Sequence, residues 1–308
     1  MKLIESKAEY IPQEEGLEGI YKSIELAGRT AYHSQDKITP DSAKDFVDRM
    51  IKSRHGAALE HGTVYLAIPY ADEETLSHYR GVAGKYNEIE FTKYSKVTMM
   101  RGTYNYVTSN YRILIENNWL DDLQYLCSPT EFHEKRYTMR FTCSRAIAQE
   151  LTRHRTYSFL MESQRYINYS KERHGGELSV IIPSWCTRLI ENNSYDLTIA
   201  KMCGESEDIP PLEQRFIMSM CFAEEIYMEY LEDGIQPQQA RDVLPNATKT
   251  ELVMTGFSSD WKFLMDLRLF EKTGNVSPDM LDLMQKAQKA MQEAGIWEDI
   301  MSKPSKFN

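Results

Sequence analysis

The chain has 308 residues, of which 42% are hydrophobic and 27% are charged, and its formal net charge is −10. This length and composition are typical of a globular protein with an ample core. No apolar run is long enough to span a bilayer, and the N-terminus lacks the apolar core of a signal peptide. We therefore expect a cytoplasmic protein, and the acidic balance argues against general nucleic-acid binding.

Cysteine usage argues against disulfide and zinc chemistry. The five cysteines form no CxxC pair, and no cysteine and histidine spacing is typical of a zinc site. We expect reduced thiols and no metal; the cysteines are Cys127, Cys143, Cys186, Cys203 and Cys221.

The first part of the chain mixes helical and strand-like patterns. Residues 16–28 carry apolar side chains at helical spacing, and Thr39 with Pro40 begins a second predicted helix that continues to about Ser53. Residues 63–68, TVYLAI, predict a strand. Residues 70–137 are rich in tyrosine and contain a strand-like segment, TYNYVTSN, followed by a helical one, YRILIENNWLDDLQYL.

The middle of the chain carries the most distinctive pattern. RYTMRFTCS, residues 136–144, predicts a strand, and RAIAQELTRHR predicts a helix on which Glu150, Arg153 and His154 share a face. SQRYINYS alternates from Ser163, which predicts a strand with Ser163 and Arg165 on the same side. A turn between that helix and that strand would bring both sets of cations to one ligand.

The last part of the chain is mostly helical. Prolines at 210 and 211 begin a long predicted helix that Gly234 closes, and Pro237 begins a short one containing Arg241. ELVMTGF predicts a strand, WKFLMDLRLF a helix, and residues 277–294 a final helix. Because helices and strands do not alternate regularly, we predict an α+β fold with a mixed or antiparallel sheet flanked by helices. Neither a GxGxxG turn nor a P-loop is present.

Residues 145–174 form a cationic island in an acidic chain. They contain six arginine and lysine residues against three glutamates. Guanidinium groups bind phosphate and carboxylate in a fork and stay charged at any working pH. The island therefore predicts a discrete ligand that carries phosphate or carboxylate groups.

The segment RHRTYSFLMESQRY, residues 153–166, resembles the signature of flavin-dependent thymidylate synthases, which has Arg-His-Arg, then a serine seven residues later, then x-Arg. Other segments follow in the family's order: AGRTAYHS, EHGTVYLAI, ARDVLP and FLMDLR. The resemblance covers roughly residues 16–69 and 138–275. It implies a single domain over residues 1–308, with an insertion at about residues 70–137 relative to shorter members.

Several positions depart from the family's usual pattern. Leu160 and Met161 stand where the family often has Asn-Glu, and Glu150 stands where a glutamine is frequent. Phe257 and Phe263 replace residues that are often asparagine or histidine. These departures bear on the contacts with the flavin.

The resemblance implies a reaction and its partners. The family methylates dUMP to dTMP with methylenetetrahydrofolate as carbon donor and reduced FAD as reductant, and NADPH reduces the FAD again. It also implies a homotetramer whose active sites are shared between subunits, with no nucleic acid and no membrane as partner.

The family's site residues are carried over where this sequence matches the motif. For dUMP they are Glu150, Arg153, Glu162, Ser163, Gln164, Arg165, Arg241 and Arg268. For FAD they are His61, Thr63, Arg153, His154, Arg155 and Ser258. Arg268 is also the expected catalytic residue, because a cation near N3 and O4 of uracil favours the charge that makes C5 nucleophilic. Ser163 is assigned to binding, since a serine nucleophile needs a base beside it.

Each of these residues also has a plainer interpretation. Arg-His-Arg at a helix end is commonly a solvated C-terminus, Arg241 alone would be a surface ion-pair residue, and His61 is equally explained as a core histidine. Two rival functions stay open: a flavoprotein of the same fold with an altered substrate, and a noncatalytic protein that binds nucleotides or nucleic acid.

Overall fold

The computed structural model describes residues 1–69, 84–88, 94–99, 104–172, 175–187 and 211–307. Cys203, the proline at 210 and most of the first half of the tyrosine-rich region lie outside the described residues.

A four-stranded antiparallel sheet forms the centre of the fold. Its strands, in spatial order, are β2 (Lys7–Ile11), β6 (Arg136–Ser144), β9 (Lys249–Phe257) and β7 (Ser158–Met161). β6 alternates between buried and half-buried residues, and its buried side chains pack against helices. Those helices are α5 (Arg145–Leu151), α8 (Ser258–Arg268), α9 (Pro278–Glu293) and α10 (Trp297–Met301).

A second core lies on a three-stranded antiparallel sheet in which β5 (Tyr104–Asn110) is the middle strand. β5 pairs with β3 (Thr63–Pro69) on one side and β4 (Lys96–Met99) on the other. Four helices pack against this core: α1 (Gly16–Ala31), α2 (Ser42–Lys52), α3 (Gly56–Leu59) and α4 (Tyr111–Glu116). The apolar stripes of α1 and α2 explain this packing, since both helices bury one face.

A third, smaller core joins the N-terminal strand to the segment around residues 167–247. β1 (Lys2–Ile4) and β8 (Ser179–Ile181) pair in parallel, and α6 (Pro211–Glu232) packs over them, followed by α7 (Pro237–Ala240). Single turns of 3-10 helix occur at Gln35–Lys37, Lys85–Asn87 and Arg241–Val243, and a longer one at Leu120–Tyr125.

The α+β class predicted from the sequence is confirmed, as is the strand at residues 136–144. Two predictions next to it were wrong. The helix RAIAQELTRHR ends at Leu151, and Arg153 to Arg155 follow in turns. The strand predicted from Ser163 is a turn, because the amides of Tyr166 and Ile167 both donate to the Ser163 carbonyl.

Other differences are smaller. α2 begins at Ser42 rather than at Pro40, and Gly56 begins a short helix instead of only ending the previous one. The 111–126 segment is a short α-helix and a separate 3-10 helix. The short strands β1, β2 and β8 and the last helix α10 were not predicted. Within the described part of the chain, no helix combines the length and apolarity that crossing a membrane requires.

Candidate functional site

The signature segment, residues 153–166, is divided by strand β7. Arg153, His154 and Arg155 precede the strand, whereas Ser163 and Arg165 follow it. β7 pairs with β9 from Thr255 at one end to Leu252 at the other, and its four residues span roughly 10 Å. We expected a single turn between Arg153–Arg155 and the pair Ser163 and Arg165. The structure has strand β7 there instead, and this strand separates the two groups within one chain.

Arg268 contacts two residues that lie near the start of the signature. Its Nε donates to Nε2 of His154 at 3.3 Å, and its Nη1 lies 3.8 Å from Oε2 of Glu150. Burial and the charge of Arg268 lower the pKa of His154 to about 4. His154 is therefore neutral near pH 7, which leaves Nε2 able to accept the hydrogen bond. The C-terminus of α8 and the end of α5 together fix this arrangement.

The Ser158 end of β7 contains a buried arginine that the sequence did not single out. Arg136 is 8% exposed, and its guanidinium donates to the Glu60 carbonyl at 3.1 Å, to Thr63 Oγ1 at 3.4 Å and to Ser158 Oγ at 3.3 Å. No carboxylate among the described residues forms an ion pair with it. Burial lowers the pKa of Arg136 to about 10, with Tyr65 the strongest of the groups that oppose the shift.

His61 and Ser258 lie at this end of the sheet and have unpaired polar atoms. Nδ1 of His61 bonds to Thr255 Oγ1 at 2.8 Å, while its Nε2 and the Oγ of Ser258 are buried without a partner in the described structure. His61 is 1% exposed, and burial, followed by the charge of Arg136, lowers its pKa to about 3. Such atoms are costly to bury unpaired, and in native proteins they commonly mark a ligand or water site.

A different set of charges lies at the other end of β7. Glu162 is 3% exposed, and its Oε2 accepts from Lys249 Nζ at 3.1 Å and from the Glu251 amide at 3.0 Å. Arg145 donates to the Glu162 carbonyl at 3.1 Å, and the positive charge of Arg241 is close enough to act on Arg145. The structure thus places Arg241 near Arg145, whose guanidinium contacts the Glu162 carbonyl.

The turn that follows Glu162 carries the remaining predicted residues. The Ser163 amide donates to the Ala31 carbonyl at the end of α1, at 3.3 Å, and the guanidinium of Arg165 lies 5.5 Å from the Tyr166 ring centroid. Gln164 lies close enough to Tyr169 to oppose part of the rise in the pKa of its hydroxyl that burial causes. Tyr166 lies at the edge of a cavity of about 760 Å³ that α1 and α2 also line.

The two phenylalanines that depart from the family pattern are accounted for by local packing. Lys96 and Arg136 both lie against the Phe257 ring, at 5.6 Å and 5.5 Å from its centroid. Phe263 stacks on Phe307 of the C-terminal segment at 5.3 Å between centroids. Both rings therefore have partners within this chain.

The residues at the Ser158 end of β7 fit a flavin dinucleotide. FAD needs donors and cations for its diphosphate and polar groups for its ring edges. His61 Nε2 and Ser258 Oγ supply unpaired buried polar atoms, and Arg153 and Arg155 are exposed cations before the same strand. Among the described residues, no group of His, Cys, Asp and Glu is arranged to hold a metal ion.

Sequence reasoning missed Arg136 and Lys249 as members of these clusters. A signal existed for Arg136, because it begins the confirmed strand β6 on the same face as Thr138 and Arg140. Lys249 is the first residue of β9 and lies two positions before ELVMTGF, the segment that was predicted as a strand. No local pattern indicates the partners of these two residues. Thr63 lies 73 residues from Arg136 in the chain, and Glu162 lies 87 residues from Lys249.

Known proteins resemble this chain over a large part of its length. The family described as thymidylate synthase complementing protein matches residues 95–293. A flavin-dependent thymidylate synthase of Corynebacterium efficiens is 32% identical over 143 residues, which is 42% of this chain and 47% of that protein. One from Pyrococcus furiosus is 26% identical over 158 residues, 51% of this chain and 53% of that protein. The chain spans about half the length of the curated relatives it matches.

One solved structure aligns with nearly the whole of this chain. A UMP/dUMP methylase, PolB from Streptomyces cacaoi bound with 5-Br dUMP, covers 98% of this chain and 97% of its own, with 15% sequence identity and a TM-score of 0.43. A likeness at this level supports no conclusion about function.

Proposed function

The chain belongs to the thymidylate synthase complementing protein family, and on that premise we propose that it is a flavin-dependent thymidylate synthase. It converts dUMP to dTMP, with methylenetetrahydrofolate as the carbon donor and FAD as the cofactor that NADPH reduces. The observation that carries the proposal is the contact of Arg268 with His154 and Glu150, because it joins the expected catalytic cation to the signature segment.

FAD is held at the Ser158 end of β7. The residues proposed to bind it are His61, Thr63, Arg153, His154, Arg155 and Ser258. The unpaired Nε2 of His61 and Oγ of Ser258 support this assignment. When bound and reduced, FAD would supply the hydride, which adds at C6 of the uracil.

Arg268 activates the uracil ring. Its guanidinium stabilises negative charge at N3 and O4, and that charge makes C5 nucleophilic towards the methylene carbon of the folate. No covalent protein nucleophile is needed. His154 and Glu150 hold the guanidinium in a fixed orientation, so that little reorganisation is required when charge develops.

The nucleotide is held by residues from both ends of β7. We assign its phosphate and its uracil edge largely to Arg153, Ser163, Gln164, Arg165 and Arg241, with Glu150 and Glu162 near the ligand. Strand β7 separates Arg153 from Ser163 and Arg165 within one chain, and this separation supports a homotetramer in which one complete site draws on two subunits. Each chain forms a single domain with an insertion at about residues 70–137. The protein works in the cytoplasm without nucleic-acid or membrane partners.

The test is a spectroscopic and product assay on the purified protein. We expect a flavin absorption spectrum that bleaches with NADPH under anaerobic conditions and returns when dUMP and methylenetetrahydrofolate are added together, with formation of dTMP. Flavin that reoxidises with neither substrate would indicate a flavoprotein with another substrate. A protein that takes up no flavin and retains oligonucleotides at moderate salt would support the noncatalytic alternative.

A further inference from the structure

Arg136 carries a buried positive charge that the function proposed above does not use. Its side chain is 8% exposed, and its Cζ lies 5.5 Å from the centroid of the Phe257 ring. Among the described residues, its guanidinium donates only to neutral oxygen atoms, namely the Glu60 carbonyl, Thr63 Oγ1 and Ser158 Oγ. Its Nε is buried there without a hydrogen-bond partner. A charge in such a position costs stability unless an anion offsets it.

The neighbouring carboxylates do not supply that anion. The charges of Glu60 and Asp260 act on Arg136, but neither group forms an ion pair with it. Glu60 pairs instead with Arg112, with Oε1 2.6 Å from Nη1. Asp260 lies 3.9 Å from the amino group of Lys306. Both carboxylates therefore have another cation as their partner, and the charge of Arg136 is left in excess.

The surroundings of Arg136 screen its charge weakly. The Phe257 ring is 1% exposed and Tyr65 is 8% exposed. The Tyr65 hydroxyl accepts from the Arg136 amide at 3.0 Å, and burial raises the pKa of Tyr65 to about 12, so this hydroxyl is neutral near pH 7. Since water and counter-ions are kept away, the charge acts over a longer distance than it would at the surface.

Three residues that are proposed to bind FAD lie around Arg136. Its guanidinium donates to Thr63, and Ser258 directly follows Phe257 in the chain. His61 is the third, because burial and then the charge of Arg136 lower the pKa of its ring to about 3. A flavin held by Thr63, His61 and Ser258 therefore lies within the field of Arg136.

Reduction gives the flavin the negative charge that this site lacks. A hydride from NADPH brings two electrons and one proton to FAD, so the products are NADP⁺ and a reduced flavin with one negative charge on its ring. Charge near N1 and N5 of the ring tunes the electronics of a flavin. A cation that is fixed nearby stabilises the charged product more than the neutral reactant.

We propose that Arg136 is the counter-ion of the reduced flavin and that it raises the reduction potential of the bound FAD. The assignment rests on the proposed function. Arg136 lies at the end of the segment, about residues 70–137, that is proposed to be an insertion. The insertion thereby contributes to the environment of the cofactor.

The test is the midpoint potential of the protein-bound FAD, measured by anaerobic titration against a reference dye. In Arg136→Gln we expect the balance between reduced and oxidised FAD to shift roughly tenfold towards the oxidised form, which lowers the potential of a two-electron couple by about 30 mV. Arg136→Lys keeps the charge and should stay close to the wild type. Arg140→Gln is the matched control, because Arg140 lies on the same strand and its charge is already paired with Glu9 at 3.0 Å.

A second pair of variants keeps the arginine in place. Ser158 Oγ accepts from Arg136 at 3.3 Å, so Ser158→Asp puts a carboxylate beside the guanidinium. This variant should also lower the potential, whereas the neutral Ser158→Asn should leave it unchanged. The pair tests whether a charge at this place reaches the flavin, and it does so even if Arg136→Gln does not fold, which circular dichroism would show.

The outcomes separate this assignment from the proposed function. An unchanged potential in Arg136→Gln, or in Ser158→Asp where Arg136→Gln does not fold, would overturn the assignment, and dTMP formation in the same sample would leave the proposed function intact. An equal fall in Arg140→Gln would also overturn it, because net charge alone would then explain the effect. A wild-type protein that takes up no FAD would remove the proposed function and the assignment together.

Discussion

Arg268 ends helix α8, His154 lies three residues after the end of helix α5, and Nε of Arg268 donates to Nε2 of His154 at 3.3 Å. The acceptor role requires a neutral imidazole with its proton on Nδ1. The lowered pKa of His154, about 4, keeps the ring in that state at neutral pH. Glu150, with Oε2 3.8 Å from Nη1, balances part of the charge on the guanidinium.

Replacing Arg268 should remove the activating charge. We expect Arg268→Ala to lower kcat by roughly 10²–10³, the usual effect of removing one preorganised stabilising group. Arg268→Lys keeps a charge but loses the guanidinium fork, so its kcat should lie between those of the wild type and the alanine variant. Steady-state kinetics with dUMP, together with a flavin titration, measures both effects. An unchanged kcat in Arg268→Ala would exclude the activating role.

Replacing His154 should affect Arg268 through its orientation. His154→Leu removes the acceptor, and we expect kcat to fall by roughly tenfold, as for loss of one net hydrogen bond to a charged group. His154→Gln offers a side-chain oxygen at similar reach and should recover part of that loss. The comparison is made on kcat at saturating dUMP. Equal activity of the leucine variant and the wild type would mean that Arg268 is oriented by other contacts.

The buried histidine predicts a specific acid sensitivity. His61 is neutral in the folded state with a pKa lowered to about 3 by burial and by Arg136, while an unfolded histidine has a pKa of about 6.5. Between these values the unfolded chain binds more protons, so the free energy of unfolding falls as pH decreases from about 6.5 towards 4. We expect this contribution to be roughly 2–4 kcal/mol.

The matching experiment is urea unfolding of the wild type and His61→Asn at pH 7 and pH 4.5. The variant should lose less stability on acidification than the wild type does. Identical pH slopes for the two proteins would show that His61 does not carry this proton linkage.

The buried ion pair of Glu162 and Lys249 predicts an asymmetric response to mutation. Lys249 keeps a second carboxylate, Glu251 at 2.9 Å, when Glu162 is neutralised. Glu162 has no other ion-pair partner in the described structure when Lys249 is removed. We therefore expect Lys249→Met to destabilise the protein by about 3–5 kcal/mol and Glu162→Gln by clearly less.

Thermal or urea unfolding measures this difference. Lys7→Gln is the control, since Lys7 pairs with Glu9 on the surface and its loss should change stability by less than about 1 kcal/mol. A larger loss for Glu162→Gln than for Lys249→Met would reverse the proposed asymmetry.

Sharing of the site between subunits predicts complementation. Arg165 and Arg268 are both proposed to contact dUMP and to come from different subunits, so each of the variants Arg165→Ala and Arg268→Ala should be nearly inactive on its own. When both variants are expressed together, some mixed sites receive both arginines, and we expect activity to return to a measurable fraction of the wild type. Activity no higher than that of the separate variants would place both residues in the site of one chain.

Much of the fold could be predicted from local pattern. β6 and α1 were predicted because alternation and helical spacing persist over nine and sixteen residues. The turn at Ser163 was read as a strand because its polar and apolar residues also alternate, whereas the real strand β7 has only four residues. Short strands such as β8 carry too little periodicity to be recognised in the sequence. Pairing with a distant strand determines where they form.

The residue types of the site could be predicted from the signature, but their grouping could not. His61 meets Thr255 across 194 positions, and Arg268 meets His154 across 114. Such contacts depend on how the sheet and helices pack, and no local pattern encodes them. The separation of Arg155 from Ser163 became evident only with the pairing of β7 and β9.

The most direct test of the account is a single-turnover experiment on the reduced protein without oxygen or NADPH. The protein is reduced, dUMP and methylenetetrahydrofolate are added, and flavin absorbance and dTMP are measured in the same sample. The account predicts one dTMP for each flavin reoxidised, and neither change when either substrate is omitted. Reoxidation without dTMP, or dTMP without reoxidation, would contradict it.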